Sequence, residues 1–217
     1  MSRKIRQNRA ATFRLRQRSF VTTEHFTLQG ARSSTIAEAT GRASMFLGAV
    51  SGGLVGLGLV ATATGVGATF YAFGLILLPT LAFVGLVTFS RALQSGIEDY
   101  NYAHRIARLR GYYFQYAPEM VDYLVSVPPE QRLTMQGLRG GPWQKFVTVA
   151  GMVSVVTAGL AGSAAGLFAT VLSRQLLIAA LAGVLVAVGV LVGMISIQTA
   201  AWHRARKASL FADEQIS

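Results

Sequence analysis

Any catalysis or metal binding by this chain would depend on three histidines and nine carboxylates, because the sequence contains no cysteine. The histidines, His25, His104 and His203, are far apart, and no HExxH, GxxxxGK[ST] or GxSxG motif occurs. Glu98 and Asp99 precede His104 by six and five residues, which on a helix places them off its face. The lack of cysteine also excludes disulfides and thiolate sites. We therefore predict no catalytic residue, no metal site and no cofactor.

The apolar segments of the chain predict membrane helices. Residues 43–90 form a run of 48 residues without Asp, Glu, Lys or Arg. A hydrocarbon core of roughly 30 Å takes about 20 helical residues at about 1.5 Å each. The run therefore predicts two crossings, at residues 43–64 and 69–89, joined by a turn at Gly65-Val66-Gly67.

Two more apolar runs follow, at residues 146–172 and 176–201, separated by Ser173-Arg174-Gln175. Lipid requires every backbone polar group in it to be satisfied internally, which a helix achieves. We predict an all-α integral membrane protein with four transmembrane helices as two helical hairpins, plus a cytoplasmic amphipathic helix.

The basic residues predict the orientation of the chain. Composition is 52% hydrophobic and 13% charged, with a net charge of +11, and the basic residues flank the apolar runs. Nine lie in residues 1–42, seven in 91–145 and three after residue 201, whereas Arg174 is alone between the last two runs. The positive-inside rule then predicts cytoplasmic termini and a cytoplasmic central segment. The Gly-, Ala- and Arg-rich, Cys-free and Asn-poor composition favours a high-GC bacterium, and we predict that the protein lies in the inner membrane.

These patterns divide the chain into five segments: a basic, flexible cytoplasmic arm (1–34), a first transmembrane hairpin (35–90), a cytoplasmic connecting segment (91–145), a second transmembrane hairpin (146–201) and a cytoplasmic tail (202–217). Thr35 and Glu38 have capping-box spacing and predict a helix start. Apolar and aromatic residues at helical spacing after Arg91 predict that the second crossing continues as the amphipathic helix. An Arg-rich, acid-poor start is also typical of organellar transit peptides.

Small residues recur every four positions in three of the crossings and so form straight ridges along the helices. Such ridges let helix backbones approach closely, which favours association in lipid. We predict that they pack helices and drive homo-oligomer formation. The ridge residues are Ser44, Gly48, Gly52 and Gly56 in the first crossing, Ser154, Ala158, Gly162 and Gly166 in the third, and Gly189 and Gly193 in the fourth.

Other residues are interpreted by their position along the crossings. Pro79 lies mid-helix and predicts a kink, because proline leaves the carbonyl of Leu75 without its donor. Basic and aromatic residues at the helix ends predict contacts with the lipid interface and anionic headgroups. They are Arg42, Arg91, Trp143, Lys145, Trp202, Arg204, Arg206 and Lys207.

Two clusters leave alternatives open. The aromatic residues Tyr112, Tyr113, Phe114, Tyr116 and Tyr123 lie near arginines. Rings beside guanidinium groups can bind nucleic acid, although contacts with the lipid interface are the favoured interpretation and nucleic acid is not predicted as a partner. The hydroxyls of the crossings could line a narrow polar path in an oligomer, or bond to carbonyls of the preceding turn. These are Thr62, Thr64, Thr88, Ser154, Thr157, Ser163 and Thr170.

A resemblance to a known family rests on residues 35–116. A short helix precedes two glycine-bearing crossings, and a helix returns to the cytoplasm, with Arg42-Ala43-Ser44 before the first crossing and Arg91-Ala92-Leu93 after the second. This pattern resembles the SLATT domains, small two-crossing effectors of bacterial nucleotide-linked conflict systems. The resemblance implies membrane pores.

The sequence thus predicts a non-enzymatic multi-pass membrane protein that self-associates and presents a basic surface to anionic lipid or a cytoplasmic protein partner. The alternative is a pore-forming effector that depolarises the membrane when triggered.

Overall fold

The computed structural model describes residues 2–116 and 144–214, and within them the side chains of residues 22–109 and 146–208. In these ranges the chain is helical and contains no strand. The helices are α1 (Ser2–Thr64), α2 (Ala68–Tyr116), α3 (Gln144–Val147), α4 (Val149–Ser173) and α5 (Leu176–Glu214).

Four of these helices, α1, α2, α4 and α5, are long and apolar enough to cross a membrane. Large apolar side chains are exposed on them, such as Leu172 at 80% and Leu176 at 82%. In water this exposure would be unfavourable, whereas lipid tails solvate such side chains. The prediction of an all-α chain with four helices able to cross a membrane is confirmed at this level.

The two predicted turns are where the helices break. α1 ends at Thr64 and α2 begins at Ala68, with Gly65 between them at a φ of 71°. Positive φ is easy for glycine because it has no Cβ. Arg174 ends α4 at a φ of 53°, and its backbone N–H donates to the carbonyl of Thr170 at 3.0 Å. A left-handed residue with this bond is a common way to end a helix.

The predicted start of the first helix is wrong. α1 begins at Ser2, so residues 2–34 are helical rather than a flexible arm. Thr35 caps nothing, because its hydroxyl donates to the carbonyl of Ala31 at 2.7 Å, and Glu38 accepts from Arg42 at 2.9 Å. Residues 2–34 contain no proline to interrupt a helix, since Pro79 is the first proline of the chain. They are also rich in residues that favour helix.

Pro79 lies inside α2 and does not end it. Likewise, α2 passes the end of the predicted second crossing and runs without a break to Tyr116. The helical continuation after Arg91 is therefore present in the structure.

The helices group into two compact units, described separately. The first contains, among the described residues, 2–36 and 98–116. Leu28, Ala103 and Ile106 are buried in it. Arg32 pairs there with Asp99 through two hydrogen bonds, of 2.5 Å from Nε and 3.3 Å from Nη2.

The second unit contains residues 37–97 and 144–214 of the described chain. Its core is built from α1, α2, α4 and α5, and it includes Phe46 at 2% exposure, Leu78 at 3%, Val153 at 1% and Met194 at 3%. This unit holds all of the predicted ridge residues.

Candidate packing and lipid-facing surfaces

The ridge on α4 packs directly against α5. A Cβ atom built on Gly162 would lie 2.6 Å from the carbonyl oxygen of Gly183 and 2.7 Å from Cβ of Ala187. One built on Gly166 would lie 3.2 Å from the carbonyl oxygen of Ala179. Glycine is required here because the two backbones are in contact, as in other small-residue helix pairs. Ser154 and Ala158, on the same ridge, are also buried.

A second close contact joins α1, α2 and α4. A Cβ atom on Gly85 would collide with Oγ1 of Thr157 and lie 2.9 Å from Cζ of Phe46. Thr157 is fully buried, and Phe46 is 2% exposed. Nearer the opposite helix ends, a Cβ atom on Gly74 would lie 2.6 Å from Cδ2 of Leu167. Glycines of α2 therefore admit large side chains from its neighbours.

The ridge on α1 faces outwards. Ser44, Gly48 and Gly52 are exposed, and nothing lies within 4 Å of a Cβ atom built on Gly48 or Gly52. Gly56 is only in van der Waals range of Phe73, at 4.0 Å. Instead, Gly53 faces α2, where a Cβ atom would lie 2.9 Å from Cδ1 of Leu81.

Gly189 and Gly193 of α5 are likewise exposed, with nothing within 4 Å of a Cβ atom on either. The structure thus separates the predicted ridges into one that packs within the chain, on α4, and two that face outwards, on α1 and α5.

Several packing residues were missed in the sequence. On α5 the side facing α4 carries Ala179, Gly183 and Ala187, whose spacing of four is the same signal as the one read elsewhere. Thr148 was also missed. Its hydroxyl accepts from the backbone N–H of Gly151 at 3.0 Å and caps α4.

Gln198 was missed as well, although it is 2% exposed in an otherwise apolar part of α5. Its Nε2 donates to the hydroxyl of Thr148 at 3.2 Å. The sequence did contain a signal for Gln198, namely a single amide side chain within an apolar run. Such a side chain in lipid needs a partner on another helix.

The hydroxyls that could line a polar path bond within their own helices. Those of Thr62, Thr64, Thr88, Ser154, Thr157 and Thr170 each donate to a carbonyl three or four residues earlier, at 2.7 to 2.9 Å. This is the arrangement that the sequence analysis favoured, and it confirms that interpretation for these six residues.

The predicted interface residues have different surroundings. Arg42 pairs with Glu38 at 2.9 Å, and Arg91 donates to Gln94 at 3.2 Å. The Arg42–Glu38 pair is nearly half exposed, and such pairs contribute about 0.3–0.5 kcal/mol. Trp202 is partly buried against the core, where a Cβ atom on Gly96 would lie 3.6 Å from it.

At the end of α5, Arg204, Arg206 and Lys207 are exposed, and Arg204 donates to the carbonyl of Ala200 at 3.4 Å. Trp143 lies outside the described residues, as do the side chains of Lys145 and of the aromatic cluster from Tyr112 to Tyr123.

The ionisable groups considered for chemistry are dispersed. The ring of His104 lies 4.3 Å from that of Tyr100, between centroids, while Asp99 is paired with Arg32. Across residues 22–109 and 146–208, whose side chains the structure describes, no three side chains of His, Asp or Glu converge as a metal site would require.

Comparison of the chain with protein-family models, with curated proteins and with solved structures gives no match. The likeness to SLATT domains therefore stays a prediction from the sequence.

Proposed function

We propose that this chain is a non-enzymatic multi-pass protein of a bacterial inner membrane, built from two helical hairpins. It self-associates through the outward small-residue faces of α1 and α5. Its termini and central segment lie in the cytoplasm, where basic residues bind anionic lipid or a protein partner.

The short connections support the hairpin arrangement. Residues 65–67 link α1 to α2, and residues 174–175 link α4 to α5. Three residues span at most about 10 Å, roughly a third of a bilayer core of about 30 Å. The linked helix ends must therefore lie at similar depth, so that each pair of crossings returns to the side from which it began.

One observation carries the self-association proposal: Gly48 and Gly52 have open space where Gly162 and Gly166 have a packed neighbour. All four glycines are on helices that can cross a membrane. Glycine weakens a helix by roughly 0.5–1 kcal/mol relative to alanine, so a glycine ridge that packs against nothing only lowers the stability of its helix. Contact with a second copy would offset this loss, because the two backbones could pack closely.

The test is Gly48→Leu combined with Gly52→Leu, with Gly58→Leu as the control. Gly58 is also exposed on α1 with nothing within 4 Å, and helical geometry places it about 100° from the ridge. We expect the double variant to be monomeric in lipid nanodiscs at concentrations where the parent and the control associate. Equal association of all three would disprove the proposal. Gly162 is unsuitable for this test because its substitution would separate α4 from α5.

The pore-forming effector is less well supported. Six of the seven candidate hydroxyls donate to carbonyls of their own helices, so their protons are not available to line a polar path. A membrane-potential dye in expressing cells tests this alternative. If expression depolarises the membrane, and substitution of Gly48 and Gly52 abolishes the effect, the oligomer formed through these glycines is a pore.

A further inference from the structure

A groove between α1 and α2 combines an apolar slot with a cationic mouth. It encloses about 480 Å³ and is open along one side. Arg42 of α1 and Arg91 of α2 line it at one end, and its apolar wall includes Met45, Ala49, Phe83 and Val87. All of these residues belong to the second unit, and the core residue Phe46 also lines the groove.

The position of the two arginines matches the polar boundary of a bilayer. Arg42 precedes, and Arg91 follows, the run of 48 residues without charge. From Arg42 to Ala49, and from Arg91 to Phe83, the groove descends about 10–12 Å along the helices at ~1.5 Å per residue. It therefore begins at headgroup depth and enters the upper part of the hydrocarbon core.

The charges of the groove favour an anion at its mouth. The charged groups that line it are two guanidinium groups, and Glu38 is the carboxylate paired with one of them, across an exposed contact. The hydroxyl of Thr88, which also lines the groove, donates its proton to the carbonyl of Val84 and so does not donate into the groove. Arginine forms bidentate hydrogen bonds to phosphate, and two arginines can hold one phosphate from both sides.

We propose that this groove is a binding site for one anionic phospholipid. The phosphate lies between Arg42 and Arg91, and the upper part of an acyl chain lies in the slot beside Ala49, Phe83 and Val87. The site rests on the proposed membrane function, which it makes specific by naming the lipid-binding residues. A second copy of the chain is a poorer occupant, because it would bring the same two positive charges to the mouth. A free phosphate would leave the apolar slot empty.

The experiment is lipid titration of the full-length protein in neutral detergent, followed by native mass spectrometry. The probes are phosphatidylglycerol, phosphatidylcholine with the same acyl chains, and glycerol 3-phosphate, which has a phosphate group and no acyl chain. We expect tight binding of one phosphatidylglycerol, and weak binding of the other two. The Arg42→Gln/Arg91→Gln variant should bind phosphatidylglycerol roughly 30-fold more weakly, as expected for two basic side chains at a membrane surface.

Two controls separate a built site from general attraction. Arg105→Gln/Arg174→Gln removes the same charge from exposed positions that do not line the groove and should leave this binding unchanged. Ala49→Phe keeps both arginines but fills the slot, and should displace the lipid, whereas Ala180→Phe at an exposed position of α5 should not. Circular dichroism of each variant checks that the helices are intact.

The outcomes distinguish this site from self-association. Equal loss in the two arginine variants, or full binding by Ala49→Phe, would overturn the site. Binding of glycerol 3-phosphate as tightly as the lipid would also overturn it. The same spectra report subunit number, so a monomeric parent that still binds phosphatidylglycerol through Arg42 and Arg91 would refute self-association while keeping the site.

Discussion

The side-chain amide of Gln198 on α5 donates to the hydroxyl of Thr148 at the start of α4, at 3.2 Å. The same hydroxyl caps α4 by accepting from the N–H of Gly151. One oxygen therefore begins α4 and fixes the position of α5 beside it. Gln198 is 2% exposed, so water does not compete for this bond.

We expect Gln198→Leu to weaken the α4–α5 contact through this bond. Interhelical hydrogen bonds of membrane proteins average about 0.6 kcal/mol and reach about 1.7 kcal/mol. A double-mutant cycle of Gln198→Leu with Thr148→Val, read from unfolding in mixed micelles, should give a coupling in that range. Thr199→Val is the control, because the Thr199 hydroxyl donates to its own helix, at the carbonyl of Ser196. Zero coupling between Gln198 and Thr148 would contradict the assignment.

The α4–α5 backbone contact makes opposite predictions for two glycines of one helix. Gly162→Ala should destabilise the protein by about 1–3 kcal/mol, the usual cost of overpacking, because its Cβ would meet Gly183 and Ala187. Gly159→Ala should be neutral or stabilise by up to about 1 kcal/mol, since Gly159 is exposed with nothing within 4 Å. Unfolding curves in mixed micelles measure both. Similar effects at the two sites would argue against the close approach.

The contact of Gly85 with Thr157 predicts non-additivity. Gly85→Ala alone should destabilise strongly, because the new methyl would collide with the Thr157 hydroxyl. Thr157→Ala removes that oxygen and should offset part of the loss. Neighbouring residues of this kind couple by about 0.5–3 kcal/mol. A double variant as unstable as the sum of the single variants would show that the two residues do not touch.

The Arg32–Asp99 pair predicts a local, salt-dependent effect. Both side chains are just over a quarter exposed, so the pair should contribute modestly, at about 0.2–1 kcal/mol. Asp99→Asn should speed hydrogen exchange of amides in residues 98–116 at low salt, and the difference should shrink in 1 M salt, where the screening length falls to about 3 Å. Glu98→Asn, next to it in the chain, serves as the control. Faster exchange in both variants would mean that negative charge near this helix stabilises it in general, and that the Arg32–Asp99 pair has no specific effect.

The orientation can be tested by labelling, because the chain has no cysteine. Single substitutions Ser2→Cys, Ser173→Cys and Ser217→Cys each provide a unique thiol. With a membrane-impermeant maleimide on intact cells, we expect labelling at position 173 alone, next to Arg174. Positions 2 and 217 should react only after permeabilisation, as the distribution of basic residues predicts. Labelling of one terminus from outside would contradict an even number of crossings.

The positions of the crossings and turns could be predicted because they depend on local composition. A bilayer core fixes the length of an apolar helix, and glycine at residue 65 or a charge at residue 174 marks where the chain leaves it. The start of α1 could not be predicted in this way. Thr35 and Glu38 have capping-box spacing, yet the same side chains can bond within a continuing helix, as they do here.

The orientation of the ridges was also beyond the sequence. Helical spacing shows that Gly48 and Gly52 share a stripe, but not whether that stripe or Gly53 faces α2. That choice depends on how four helices pack together, including contacts such as Gly85 with Thr157, 72 positions apart in the numbering. The Thr148–Gln198 bond, 50 residues apart, was missed for the same reason.

The two brief links, at residues 65–67 and 174–175, also constrain how the protein is made. A link of three residues spans at most about 10 Å, so the start of α2 stays close to the membrane depth at which α1 ends. We expect α1 with α2, and α4 with α5, to enter the lipid as pairs of helices. A nascent chain stalled after Thr64 would hold a single crossing whose exit end carries no charged residue to retain it.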